Sequence, residues 1–163
     1  MDIIETNDAD FVCLQEMTEP IWNYFQRNTY IQSLTQHANS TSPNDIGRYG
    51  TVILSRYACQ FYECDFESYM CRSLILAEPC TPFHLIVASS HFESLNNADV
   101  RISQLQKSFE VLKAAQGEEF KHHSVLVGDF NFAILPKAYR YCVKESLQTQ
   151  KPLPNHRALN EER

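Results

Sequence analysis

The chain has 163 residues, 44% of them hydrophobic, and a formal net charge of −6, which is enough for one domain with a real core and too acidic for a broad, nonspecific grip on polyanions. No apolar run approaches the roughly 20 residues that span a bilayer, and the start, "MDIIETNDAD", has neither the basic region nor the apolar stretch of a signal peptide, so no membrane partner is expected. Six cysteines without a C-x-x-C pair argue against a zinc site and for reduced thiols in a nuclear or cytoplasmic protein.

In chain order, Ile3 and Ile4 fit the last turns of a helix. "ADFVCLQE" is too short for a helix and too continuous for a half-exposed strand, and predicts an interior strand covered on both faces, with Cys13 as a small core residue. "TEPIWNYFQRN" predicts a short helix, with Pro20 early and Trp22, Tyr24 and Phe25 behind it. "TYIQSL" suggests a strand, and the polar residues 35–48 a loop. "GTVILSRY" is a strand with a β-branched centre. "SLILAE" and "FHLIVASSH" are two more, close enough across Thr81 and Pro82 for an antiparallel hairpin.

The best helix covers about 98–115. Ala98, Ile102, Leu105, Phe109 and Leu112 recur at spacings of 4, 3, 4 and 3 and form one apolar stripe. Asn96 or Asn97 suits its start, Asp99 its first turn and Gly117 its stop. "SVLVGDF" returns as a strand, and "PKAYRYCVKESLQ" suggests one more helix before a loose polar tail over 151–163. Charge is uneven: residues 1–132 carry 8 Lys and Arg against 17 Asp and Glu, and residues 133–163 carry 6 against 3. A basic tail of this kind is more often a solvated helix face than a phosphate contact.

The chemistry gathers at strand ends. Glu16 follows "FVCLQ", His91 and Glu93 follow "LIVASS", and Asp129 and Asn131 follow "VLVG". One acid after a strand is usually a turn former. Three endings that carry carboxylate, imidazole and amide suggest a ligand site, because strand ends in layered α/β proteins are rigid and open. Glu16 suits a hard cation such as magnesium, which keeps most of its waters. Asp129 can orient a water, Asn131 can hold a phosphate oxygen or the acid itself, and His91 can donate to a phosphoryl oxygen as charge builds.

"CLQE", "GTVILSRY", "SSHFES", "RISQL" and "GDFNF" stand in the order of the endonuclease/exonuclease/phosphatase (DNase I-like) superfamily, which the chain resembles over residues 1–132. Within it, "SSHFES" followed by "RISQLQ", together with "SYMCRSLI", is most similar to the tyrosyl-DNA phosphodiesterase 2 family. The resemblance implies a four-layer α/β/β/α sandwich with mixed and antiparallel sheets. It implies hydrolysis of the 5′-phosphotyrosyl bond of DNA adducts with Mg²⁺, or Mn²⁺, and single-stranded or 5′-end DNA as partner. Glu16 would be the metal ligand, Asp129 and Asn131 the catalytic pair, and His91 part of the site wall. Glu93, Ser94, Arg101 and Arg72 would support substrate or site. Arg48, Arg56 and the tail lysines are candidate nucleic-acid contacts.

The chain also departs from the family pattern. The asparagine strand expected before "LQE" is not in the sequence, and His156 in "PNHRA" does not match the terminal Ser-Asp-His. The expectation is therefore an incomplete domain over 1–150, lacking its first strand and its C-terminal strands, with marginal stability and weak activity. Another enzyme of the superfamily (a deadenylase, DNase or sphingomyelinase) and a catalytically incomplete binding module are the competing readings.

Overall fold

Val52, Ile53 and Leu54 are consecutive, apolar and fully buried. A strand alternates its side chains between two faces, so such a run must be covered from both sides. The computed structural model, described here for residues 2–40, 42–46, 49–66, 72–80, 85–116 and 123–132, shows how. Val52 and Leu54 face a helical layer, packing with Trp22, Ile31, Leu34 and Ile46. Ile53 faces the other way, against Ile75 and Ala77 of a second sheet.

The elements run α1 (Asp2–Thr6), β1 (Phe11–Met17), α2 (Glu19–Phe25), α3 (Thr29–Thr35), α4 (Pro43–Ile46), β2 (Gly50–Ser55), β3 (Cys59–Asp65), β4 (Ser73–Pro79), β5 (Leu85–His91), α5 (Ala98–Gln116) and β6 (His123–Asp129). β1 and β2 form an antiparallel pair. The second sheet has the order β3-β4-β5-β6, antiparallel except that β5 and β6 run parallel. β1 packs on β5 and β6, and β2 on β4 and β5; α3 and α4 cover β2, and α5 covers β5 and β6. The result is the expected helix, sheet, sheet, helix layering with mixed and antiparallel sheets.

Several local expectations change. "TYIQSL" is a helix, α3, not a strand. Its N-cap is Asn28, whose side chain accepts from the Ile31 N–H at 3.0 Å, and this cap outweighs the strand preference of Tyr30 and Ile31. The segment after it is not all loop, since Pro43–Ile46 forms the turn of helix α4. "CQFYECD" forms the outer strand β3, which the sequence reading passed over. β1 and β6 were expected to be interior strands; among the described residues each has one neighbour, and it is β4 and β5 that are flanked on both sides.

The face of α5 also differs. Its buried residues are Arg101, Gln104, Ser108 and Leu112. Ile102 and Phe109 of the expected stripe point outward, Phe109 with 56% exposure. Arg101 and Gln104 hold the backbone of the loop after β5, as shown below, and this polar contact decides the helix rotation. The hairpin turn at Thr81 and Pro82, Gly117, the "PKAYRYCVKESLQ" helix and the 151–163 tail lie outside the described residues. Residues 1–131 form one compact unit; of the second, residues 132–163, only Phe132 is described.

Candidate active site

β5 and β6 are parallel, so their C-terminal ends share one edge. Their register pairs Leu85 with His123 and ends by pairing His91 with Asp129. Gly128 makes that approach possible. It sits opposite Ser90 at φ +141, and a Cβ there would stand 1.9 Å from the Ser90 carbonyl oxygen. No other residue fits both the conformation and the space.

The turn after β6 is fastened to the loop after β5. The Asn131 N–H donates to Asp129 Oδ1 at 2.9 Å, and the Asn131 side-chain amide donates to the Phe92 carbonyl at 2.9 Å. The Phe92 N–H donates to the Asp129 carbonyl at 2.9 Å. Asn131 has φ +51, in the left-handed region that Asn tolerates better than most residues. Phe92 is fully buried, its ring between those of Phe66 (5.8 Å) and Phe130 (4.9 Å).

Glu16 comes to the same edge from the first sheet. The β1–β2 register shifts between Leu14 and Met17, and Glu16 has φ +54, the signature of a bulge that re-aims a side chain. Gln15 reaches across the layers and donates to Ser89 Oγ at 2.9 Å, two residues before His91. Glu16 itself is exposed, and its negative charge is felt at His91.

His91 is 4% exposed. Its Nε2 lies 3.8 Å from Asp129 Oδ2, and Arg72 Nη1 lies 2.7 Å from its Nδ1. Burial, then the Arg72 charge, hold the imidazole below its ordinary range, while Asp129, Glu16 and Glu93 pull it upward. Burial and the Arg72 charge thus favour the neutral imidazole.

The remaining expected residues surround this edge. The Glu93 N–H donates to Gln104 Oε1 at 2.8 Å, and its carbonyl accepts from Arg101 Nη1 at 3.2 Å. Arg101 also donates to the Leu95 carbonyl at 2.9 Å. Glu93 is buried, and its Oε2 has no hydrogen-bond partner among the described residues. Ser94 contributes its carbonyl, which accepts from Asn97 at 2.8 Å. The site thus brings together Arg72, His91, Asp129 and Asn131, with Glu93 and Arg101 behind them and Glu16 on the neighbouring sheet, next to the Gln15 that bonds Ser89.

Arg56 does not join them. It follows Ser55, the partner of Phe11, at the far end of β1 from Glu16, and it is paired with the carboxylates of Asp8 and Asp10. That expected nucleic-acid contact is corrected on this geometry. Arg48 lies outside the described residues. Sequence reasoning also missed a cavity of about 220 Å³ beside His91, lined by Asn39, Ser40, Tyr49, Glu63 and Arg72 among others. Tyr49 directly before the first residue of a strand was the available signal.

Among the described residues, no three His, Cys, Asp or Glu side chains stand close enough to hold a metal. The donor set is one of oxygens, with Glu16 exposed at the shared edge. That fits a hard cation held by one or two carboxylates and completed by water and substrate.

The sequence signature of the Endonuclease/Exonuclease/phosphatase family matches residues 1–141. The chain belongs to this family. No curated protein sequence matches it. Among solved structures, D. rerio TDP2 complexed with a single-strand DNA product superposes with a TM-score of 0.66 at 22% identity, covering 85% of this chain and 54% of that one. C. elegans TDP2 gives 0.64 at 19% identity, covering 80% and 40%. ANGEL2, a 2′,3′-cyclic phosphatase, gives 0.58 at 19% identity, covering 98% and 53%. The chain thus spans about half the length of these structures or less, and shares their fold. No helix among the described residues is long and apolar enough to cross a membrane.

Proposed function

We propose that the chain carries the strand-end centre of a metal-assisted phosphodiesterase that cleaves the 5′-phosphotyrosyl bond of DNA adducts. One observation carries the reading: His91, Asp129 and Asn131 meet at the shared edge of β5 and β6, and the charge of Glu16 on the other sheet is felt at His91. An acid, an amide and a neutral imidazole at one rigid edge suit in-line attack of water on a phosphodiester.

In this reading Asp129 orients the attacking water. The Asn131 backbone holds the Asp129 carboxylate in place without adding charge. His91 donates to a phosphoryl oxygen as negative charge builds on it. Glu16 would hold Mg²⁺ or Mn²⁺, and a bound ion would polarise the phosphoryl oxygens. Arg72, Glu93, Ser94 and Arg101 keep these groups in position. Single-stranded or 5′-end DNA would enter at this edge, and the protein would work in the nucleus or cytoplasm, where its thiols stay reduced.

The test is a substrate panel with the 163-residue chain and millimolar Mg²⁺. It would include 5′-tyrosyl DNA, RNA ending in a 2′,3′-cyclic phosphate, poly(A), sphingomyelin and a phosphoinositide. Release of tyrosine from the DNA, abolished by chelation and by Asp129→Asn, is the expected result. Preferential opening of the cyclic phosphate would favour the chemistry named for ANGEL2, which the 98% coverage of this chain makes the second reading. Binding of DNA with no turnover on any member would leave a binding module and overturn the proposal.

A further inference from the structure

Arg72 and His91 are 19 residues apart in sequence and in contact through Arg72 Nη1 and His91 Nδ1, at 2.7 Å. A guanidinium has five donors and no acceptor, and it keeps its proton at every accessible pH. In any hydrogen bond between the two, the arginine donates and the histidine nitrogen accepts. A nitrogen that accepts carries no hydrogen. Nδ1 is therefore bare, and in a neutral ring the one proton sits on Nε2.

We propose that Arg72 is a positioning residue that locks His91 in its Nε2–H tautomer and makes it a hydrogen-bond donor toward the Asp129 edge. Nε2 faces Asp129 Oδ2 at 3.8 Å, beyond direct hydrogen-bond range. The donor is thus not consumed by the carboxylate, although both point to one place. His91 has no ring nitrogen left to take a proton from water, because one is engaged by Arg72 and the other already carries hydrogen. That removes His91 as general base and leaves the water to Asp129. The imidazole serves the opposite purpose, donating to an oxygen that gains charge. Protonation to imidazolium would place two cations at 2.7 Å, and burial opposes it as well.

The tautomer itself does not depend on the substrate, but its use in turnover rests on the function proposed above. The experiment therefore has a readout besides activity. Long-range ¹H–¹⁵N spectra of the full labelled chain at neutral pH, with His91 assigned by its loss in His91→Gln, are expected to show a bare Nδ1 and a protonated Nε2. In Arg72→Met the two ring nitrogens should average toward a mixture, while Arg72→Lys, which keeps a donor, should recover the single form in part. On bis(p-nitrophenyl) phosphate, Arg72→Met should lower kcat on the order of 10- to 100-fold with little change in KM. His91→Gln, whose amide can place a donor near the Nε2 position, should retain more activity than His91→Asn, whose amide mimics Nδ1.

A protonated Nδ1 in the unsubstituted protein overturns the proposal, whatever the activity. So does an unchanged tautomer in a folded Arg72→Met. The wild-type spectrum decides even where the variant fails to fold. A locked tautomer in a chain that hydrolyses none of the panel supports this inference and counts against the proposed function alone.

Discussion

The side-chain amide of Asn131 donates to the carbonyl of Phe92 across 39 residues of sequence, at 2.9 Å. This bond ties the end of one strand to the end of its parallel neighbour. It holds Asn131 at φ +51, and Asn131 in turn orients Asp129. Asn131→Ala loses the bond, worth about 1 kcal/mol, and adds a left-handed penalty of roughly 1–2 kcal/mol. Asn131→Gly loses the bond without that penalty and should be the more stable of the two. The protein has one tryptophan, Trp22, 1% exposed, so urea unfolding followed by its fluorescence reads the difference. Equal stabilities would show that the conformation is not enforced.

Gly128→Ala should be far more damaging. The added methyl would overlap the Ser90 carbonyl oxygen at 1.9 Å in a backbone with φ +141. A clash with the neighbouring strand at a strained position belongs among the largest single-residue effects, about 3 kcal/mol or more. Hydrogen exchange along β5 and β6 should accelerate, and any residual activity should vanish with the register of His91 and Asp129. A native melt for this variant would mean the two strands are farther apart than described.

Asp129→Asn keeps an oxygen for the Asn131 N–H and removes the charge. Turnover should fall on the order of 10²- to 10⁴-fold with little change in unfolding midpoint. Glu16→Gln should instead raise the Mg²⁺ concentration needed for half-maximal rate, because the exposed carboxylate is the proposed metal contact. An activation curve unmoved by Glu16→Gln would place the ion elsewhere.

Stability should depend on pH through His91. Its affinity for protons in the folded protein is held below the ordinary value of 6.5, first by burial and then by Arg72, against the opposing charges of Asp129, Glu16 and Glu93. The unfolded chain therefore takes up this proton first as pH falls. The contribution is fully present above about pH 6.5 and is lost as pH drops toward the folded value. Melting temperatures between pH 8 and 5 should fall through that window, and His91→Gln should flatten the slope. A slope of opposite sign would mean that the three carboxylates dominate the ring.

Helix α5 allows a comparison of two faces. Phe109→Lys should change stability by no more than about 0.5 kcal/mol, since the ring is exposed. Gln104→Ala should cost about 1–3 kcal/mol by leaving the buried Glu93 N–H without its acceptor. Thermal denaturation of the pair should give a small shift for the aromatic and a large one for the amide. The reverse order would restore the apolar stripe as the buried face.

The elements with strong patterns were readable before any coordinates. Val52–Leu54 announced a strand because its centre is β-branched and no polar residue interrupts it; its coverage on both faces came only with the structure. Glu16, His91, Asp129 and Asn131 stood out because acids, amides and imidazole follow apolar runs three times over. What stayed hidden depends on partners distant in sequence. The α5 face is set by backbone groups of Glu93 and Leu95 that need Gln104 and Arg101, and hydrophobic periodicity carries no record of them. α3 turned on Asn28, a single capping side chain. β3 was masked by Glu63 and Asp65 on an exposed outer strand. Arg72 was named through the family resemblance, but its contact with His91 is one that no spacing rule reveals.

The bond from Gln15 to Ser89 is a polar link between two sheets that also meet through apolar side chains. Apolar surfaces resist separation but offer little resistance to sliding. A directional link placed one residue before Glu16 and two before His91 acts as a dowel against such shear. Precision of the proposed chemistry would then trace to an amide that never meets the substrate.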